Sequence, residues 1–182
     1  LIILLSQMST GYQIYDQTET HFLTFQPVEW VDIFTRMRYR DIIVDSFNFC
    51  QKKKDLKIYA WVIMSNHVHC ILSSGINRLS DTVRDFKRHT SKTILKSIQE
   101  ETESRREWML YQFKKAAQQH NRNENYQFWT HENHPIELTS NYFIDQKVDY
   151  IHNNPVEAGI VENPEDYLYS SARDFAGMKG MV

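Results

Sequence analysis

The stretch Leu56–Ser73 constrains the fold of this chain more than any other. Leu56 to Met64 is an apolar, β-prone run, Ser65-Asn66 is a polar pair, and His67 to Leu72 is apolar again. Two β-rich runs joined by two polar residues read as a tight hairpin, so the fold must contain an antiparallel sheet. A further strand is expected at His21–Gln26, where residues alternate up to Pro27. The other segments have helical periods. From Trp30 to about Cys50, Ile33, Phe34, Met37, Ile42 and Ile43 suit a helix with a break, and Lys52-Lys53-Lys54-Asp55 suits a solvated turn. In Arg78–Gln99, Leu79, Val83, Phe86, Thr90, Ile94 and Ile98 fall within an arc of roughly 120° at 100° per residue. Arg84, Arg88, Lys92 and Lys96 form an i, i+4 ladder on the far side, with Lys87 near the apolar edge. Strands mixed with helices around a hairpin indicate an α+β fold.

Beyond this helix, Glu103–Gln119 is expected to be helical with Trp108, Tyr111 and Ala116 facing inward. Asn121–Asn125 is a polar loop, and Tyr126–Leu138 reads as one or two short strands. Thr139-Ser140 can cap a helix running to about Asn154. Pro155 follows, and Gly159 and Pro164 should break up a loosely folded tail. At 182 residues with 41% hydrophobic side chains, the chain can bury a core. We expect one domain over 20–182 with a helical insertion around 100–125, preceded by a flexible extension, 1–19. The apolar run Leu1–Leu5 is too short for a signal core or a membrane span, and Met8-Ser9-Thr10 has the look of an ordinary start. Two cysteines, Cys50 and Cys70, make no disulfide framework and point to a reducing compartment, here the cytoplasm. The net charge of −2 gives no bulk argument for a polyanionic partner, so any such partner must be held by local patches.

Two constellations could carry chemistry. His67 and His69 follow the hairpin turn, and residues i and i+2 of a strand share a face about 6.5–7 Å apart. Such a pair either converges on a divalent ion at about 2.1 Å per ligand or is two half-buried packing residues. On the helix before Pro155, Tyr150 and Asn154 are i, i+4 neighbours that reach one small volume. A phenol there is a candidate nucleophile and an amide oxygen a hard-ion ligand, though a tyrosine at a helix edge also packs. His21, His89 and His152 read as packing or surface residues and His120 as solvated, whereas His131 and His134 precede the Tyr150 helix and are weaker candidates for the site.

Taken together the blocks resemble a known family. Trp61–Leu72 resembles the His-hydrophobic-His (HUH) segment of single-tyrosine, IS200-like transposases. Val148–Val161, containing Asp149-Tyr150-Ile151-His152-Asn153-Asn154-Pro155, and Pro164–Ala172 resemble the tail of the REP-associated tyrosine transposase subgroup. The likeness runs from about His21 to Phe175; Ser65 stands where proline is common, a change of turn stiffness and not of chemistry. The resemblance implies a ferredoxin-like antiparallel sheet with helices on one face, and a C-terminal catalytic helix plus tail. It implies an endonuclease that cleaves and rejoins single-stranded DNA near hairpins, for DNA transposition and recombination, in the nucleoid. By position, His67 and His69 match the metal-binding histidines, Tyr150 the nucleophile and Asn154 the third ligand. Two imidazoles and an amide suit Mg²⁺ or Mn²⁺. A free phenol is only about 0.1% ionised at pH 7, so a nearby cation favours attack. Attack leaves a 5′-phosphotyrosine and a free 3′-hydroxyl, and another 3′-hydroxyl can reverse the step without ATP.

Arg84, Arg88, Lys92 and Lys96 are the DNA-contact candidates; their other reading is a solvated helix face. A domesticated, non-catalytic binder of DNA hairpins is the alternative function. A zinc hydrolase is disfavoured because no third histidine or carboxylate stands at motif spacing. Monomer and homodimer both suit the sequence, and no membrane partner is expected.

Overall fold

The computed structural model describes residues 13–119 and 125–182. Most of the N-terminal extension, His120 and all but the last residue of the 121–125 loop therefore lie outside the described residues. Among those described, β1 (His21–Phe25), β2 (Leu56–Ile63), β3 (Val68–Ser74) and β4 (Ile136–Glu137) form an antiparallel sheet in the order β2-β3-β1-β4. Helix α1 (Met37–Lys54) connects β1 to β2, and α2 (Leu79–Glu100) and α3 (Arg106–Gln118) separate β3 from β4. This is the ferredoxin-like βαββαβ order, with α3 as the extra helix. Helix α4 (Asn141–Glu157) and a short α5 (Ala172–Phe175) complete the chain. No described helix is long and apolar enough to cross a membrane.

The hairpin forms at the expected turn. Ile63 pairs with Val68, and the Met64 N–H donates to the His67 carbonyl at 2.9 Å, leaving Ser65-Asn66 at the tip. Opposed residues share a face, so the register divides the sheet into two sides. Leu23 faces with Cys70, and Trp61 with Cys70, toward the α1 and α2 layer. There Phe47 stacks on Phe86 at 4.9 Å, and Phe86 meets Phe25 at 5.4 Å. The expected α2 stripe, Leu79 to Ile98, is buried at every one of its six positions. Each such large apolar side chain contributes about 1.5–3 kcal/mol. The opposite side, carrying Phe22, Thr24, Val62 and His69, receives α4.

Three expectations are corrected. The first helix begins at Met37 and not at Trp30, because Glu29 and Trp30 have φ of 55° and 54°. Such left-handed backbone cannot continue an α-helix. Ile33 and Phe34 instead lie in a separate single turn, Ile33–Thr35. On α3 the buried residues are Met109, Phe113, Ala116 and Ala117, while Trp108 and Tyr111 are 45% and 63% exposed. The Tyr126–Leu138 segment forms short strand structure along β1, as expected: the two-residue β4 and a bridge between Pro27 and Trp129.

The third correction is to the C-terminus. Helix α4 passes through Pro155 to Glu157. The proline has no N–H for the Ile151 carbonyl, so the helix forgoes that one bond and continues. The helix closes where Gly159, at φ 68°, donates to the Val156 carbonyl and Ile160 donates to that of Pro155, both at 2.9 Å. This is a Schellman cap, which needs a left-handed residue that glycine adopts without strain. Nor is the tail loose. Ile63 N–H donates to the Tyr169 carbonyl and Ser171 N–H to that of Trp61, so the tail pairs with the outer edge of β2. Tyr167, Tyr169, Ser170, Ser171 and Ala172 are buried.

Candidate active site

The site is assembled from β1, the end of the hairpin and α4. His67 lies just past the turn and His69 on β3; their ring centroids are 4.5 Å apart. Helix α4 starts where the Ser140 hydroxyl accepts the Phe143 N–H at 3.4 Å, a cap of the expected kind. It buries Ile151 and part of Ile144 and Val148, and this stripe sets the rotation that turns Tyr150 toward the sheet. The Tyr150 hydroxyl lies 3.3 Å from His69 Nε2, with the rings 5.2 Å apart. Asn154 Nδ2 donates to the Tyr150 carbonyl at 3.3 Å, and its side chain stands beside His67. The four residues singled out by spacing thus meet at one place.

Three residues missed by spacing complete it. Thr24, opposite His69 in the β1–β3 register, shares a 2.9 Å hydrogen bond with His69 Nδ1. Phe22 stacks on His69 at 5.3 Å and meets Tyr150 edge-on at 6.0 Å. Lys147 Nζ stands 4.7 Å from the Phe22 ring centre and 5.3 Å from that of Tyr150. Lys147 had a signal in the sequence, since it is three residues before Tyr150 on the same helix. Phe22 and Thr24 had none, because cross-strand register is not written in local spacing.

Burial, with the neighbouring His67 and Lys147, pushes the His69 pKa down to about 3. Burial also lowers that of His67, opposed by the Asn154 side chain beside it. Both rings are therefore neutral at physiological pH, the form that ligates metals. In the tautomers that donate Nδ1–H to Thr24 and to the Asn66 side-chain oxygen (2.8 Å for the latter), both Nε2 lone pairs remain as donors. That donor chemistry fits a divalent ion held by two imidazoles and the Asn154 amide oxygen. Among the described residues no cluster of three or more His, Cys, Asp or Glu offers another such site.

The other candidates fall elsewhere. His152 is buried and bonds Ser171 Oγ at 2.9 Å, tying α4 to the tail. Cys70 is buried on the other face of β3, as expected. Arg84, Arg88, Lys92 and Lys96 lie on the outer side of α2, across the sheet from Tyr150. Arg84 pairs with Asp81 at 2.7 Å, Arg88 with Asp85 at 3.2 Å and Lys96 with Glu100 at 3.7 Å. Lys92 has no carboxylate partner among the described residues.

A search of curated proteins finds no relative of the chain. The solved structure of a REP-associated tyrosine transposase bound to a REP hairpin superposes with a TM-score of 0.65 at 20% identity, covering 94% of this chain and 89% of that one. The two share a fold. The family model described as transposase, IS200 like, matches residues 21–154, more than half of the chain. This chain belongs to the IS200-like transposase family.

Proposed function

We propose that this protein is a metal-dependent endonuclease and transposase acting on single-stranded DNA beside hairpins, with Tyr150 as nucleophile. The observation that carries the reading is the 3.3 Å approach of the Tyr150 hydroxyl to His69 Nε2 across two separate elements. Family membership supports the reaction class, and the hairpin in the structural neighbour supports the substrate. His67, His69 and Asn154 would hold Mg²⁺ or Mn²⁺, which supplies Lewis-acid polarisation of the scissile phosphate. Tyr150 forms a bond from its oxygen to phosphorus as the bond from phosphorus to O3′ breaks. The 3′ oxygen leaves with a proton, and the 5′-phosphate stays on the tyrosine. Thr24 holds the His69 ring, and Phe22 shields one face of the site from water. Arg84, Arg88, Lys92 and Lys96 are proposed DNA contacts outside this centre.

The test is incubation with hairpin-bearing single-stranded DNA and Mn²⁺, followed by a denaturing gel. A covalent adduct mapping to the peptide with Tyr150 is expected, and Tyr150→Phe should abolish it. Hairpin binding by Tyr150→Phe should stay within about threefold of the parent, a cost below about 1 kcal/mol. An adduct that survives this substitution, or maps to Tyr126, Tyr142 or Tyr167, overturns the assignment. Hairpin binding with no adduct at any divalent ion leaves the domesticated, non-catalytic binder as the function.

A further inference from the structure

We infer that Lys147 is a substrate-binding residue of this centre, its ammonium taking the non-bridging oxygens of the scissile phosphate as Tyr150 attacks. The inference rests on the function proposed above and adds a residue to it. Lys147 is half-buried on α4 one turn before Tyr150. Its Nζ lies over two rings, Phe22 at 4.7 Å and Tyr150 at 5.3 Å. Among the described residues no carboxylate pairs with it, although Asp145 and Asp149 share its helix. Three of the four cations on the outer face of α2, Arg84, Arg88 and Lys96, are by contrast matched to acids on their own helix.

An ammonium held only by aromatic faces keeps its charge uncompensated and can turn to a stronger anionic partner. The platform beneath it is fixed, because Phe22 is 5% exposed on β1 and stacks on His69. A phosphate within bonding reach of the Tyr150 oxygen brings its own oxygens to the side where this charge stands. During attack, negative charge spreads over those oxygens and the leaving O3′, and a preset cation stabilises that state more than the free enzyme. The competing role, aliphatic packing of the lysine stem on Phe22, requires no charge at all.

Two variants separate these roles. Lys147→Met keeps the stem and loses the charge, while Lys147→Arg keeps a charge. On single-stranded hairpin DNA that the parent cleaves with Mn²⁺, Lys147→Met should form the adduct about 10- to 100-fold more slowly, and Lys147→Arg should recover most of the rate. Binding is then compared between Tyr150→Phe and Tyr150→Phe/Lys147→Met. The DNA carries either an ordinary phosphate or an uncharged methylphosphonate at the mapped cleavage position. The double variant should bind the phosphodiester about fivefold more weakly and the methylphosphonate equally well. A binding loss equal on both DNAs, or an adduct rate for Lys147→Met equal to the parent's, overturns the lysine assignment and leaves Tyr150 in place. Absence of any adduct with the parent removes the function proposed above and this inference with it.

Discussion

Burial strips an imidazolium of its hydration, so His69, 7% exposed beside His67 and Lys147, retains a neutral ring. What remains to be fixed is the orientation of the ring, and Thr24 fixes it with one hydrogen bond to Nδ1 at 2.9 Å. Thr24→Val keeps the shape and removes that bond. We expect divalent-ion affinity or cleavage to fall by about 10- to 100-fold with hairpin binding unchanged. An unmoved metal titration midpoint would mean that the ring is held by packing on Phe22 alone. His67, His69, Tyr150 and Asn154 could be found from the sequence because each pair is close along the chain, at the strand period of two or the helix spacing of four. Thr24 is 45 residues from His69, and only the strand register joins them. Spacing along a chain carries no information about such a neighbour.

Helix α2 was the clearest element in the sequence because a 22-residue helix repeats its period six times, so occasional exceptions do not mask it. Its exposed side is less simple than a cationic ladder, since Asp81, Asp85 and Glu100 already engage three of the four cations. Exposed pairs of this kind contribute little and exchange readily with phosphate. Lys92 has no such competitor. Lys92→Gln alone should therefore lower the log–log salt slope of single-stranded DNA binding by about 0.7, and neutralising all four cations should lower it further. An unchanged slope in the fourfold variant would make this a solvated face. The tail shows the opposite relation to sequence. Gly159 and Pro164 suggested a loose end, yet a few extended residues on an open strand edge gain backbone hydrogen bonds without any periodic signature. Ser171 is central there: its Oγ accepts the Trp61 N–H at 2.9 Å and bonds His152 at 2.9 Å, all in the interior. Ser171→Ala strands both partners and should cost about 1–3 kcal/mol. A lower urea midpoint at constant m checks this, and an unchanged midpoint would show that the tail is not bound as tightly as its contacts suggest.

The molecule places its helical layer on one side of the sheet and the Tyr150 helix on the other. Its weakest closure is the β1 edge, where β4 is only two residues long. Lys87 closes that edge from α2: its Nζ donates to the Thr130 carbonyl at 2.7 Å and to Asn133 Oδ1 at 2.6 Å, while the Asn133 carbonyl accepts the Thr24 N–H at 2.9 Å. In the sequence this lysine was the one cation displaced toward the apolar edge of α2, a departure whose purpose only the folded chain reveals. Neither acceptor carries a charge, and burial pushes the Lys87 pKa from an ordinary 10.5 down to about 8. The folded state therefore holds this proton less tightly than the unfolded chain does. Below about pH 8 the lysine is charged in both states and its desolvation cost is present in full. Between about pH 8 and 10.5 the unfolded chain still binds a proton that the folded protein has released, so stability from this group rises with pH. The slope is about 1.4 kcal/mol per pH unit, or about 3 kcal/mol across the window. Other groups titrate in the same range, so the informative quantity is the parent's unfolding free energy minus that of Lys87→Met, measured by urea at pH 7, 8, 9 and 10. That difference should be flat from pH 7 to 8 and then climb in the parent's favour. A difference that stays level to pH 10 would mean that the two oxygen acceptors hold the ammonium as well as water does, and that this edge carries no buried charge.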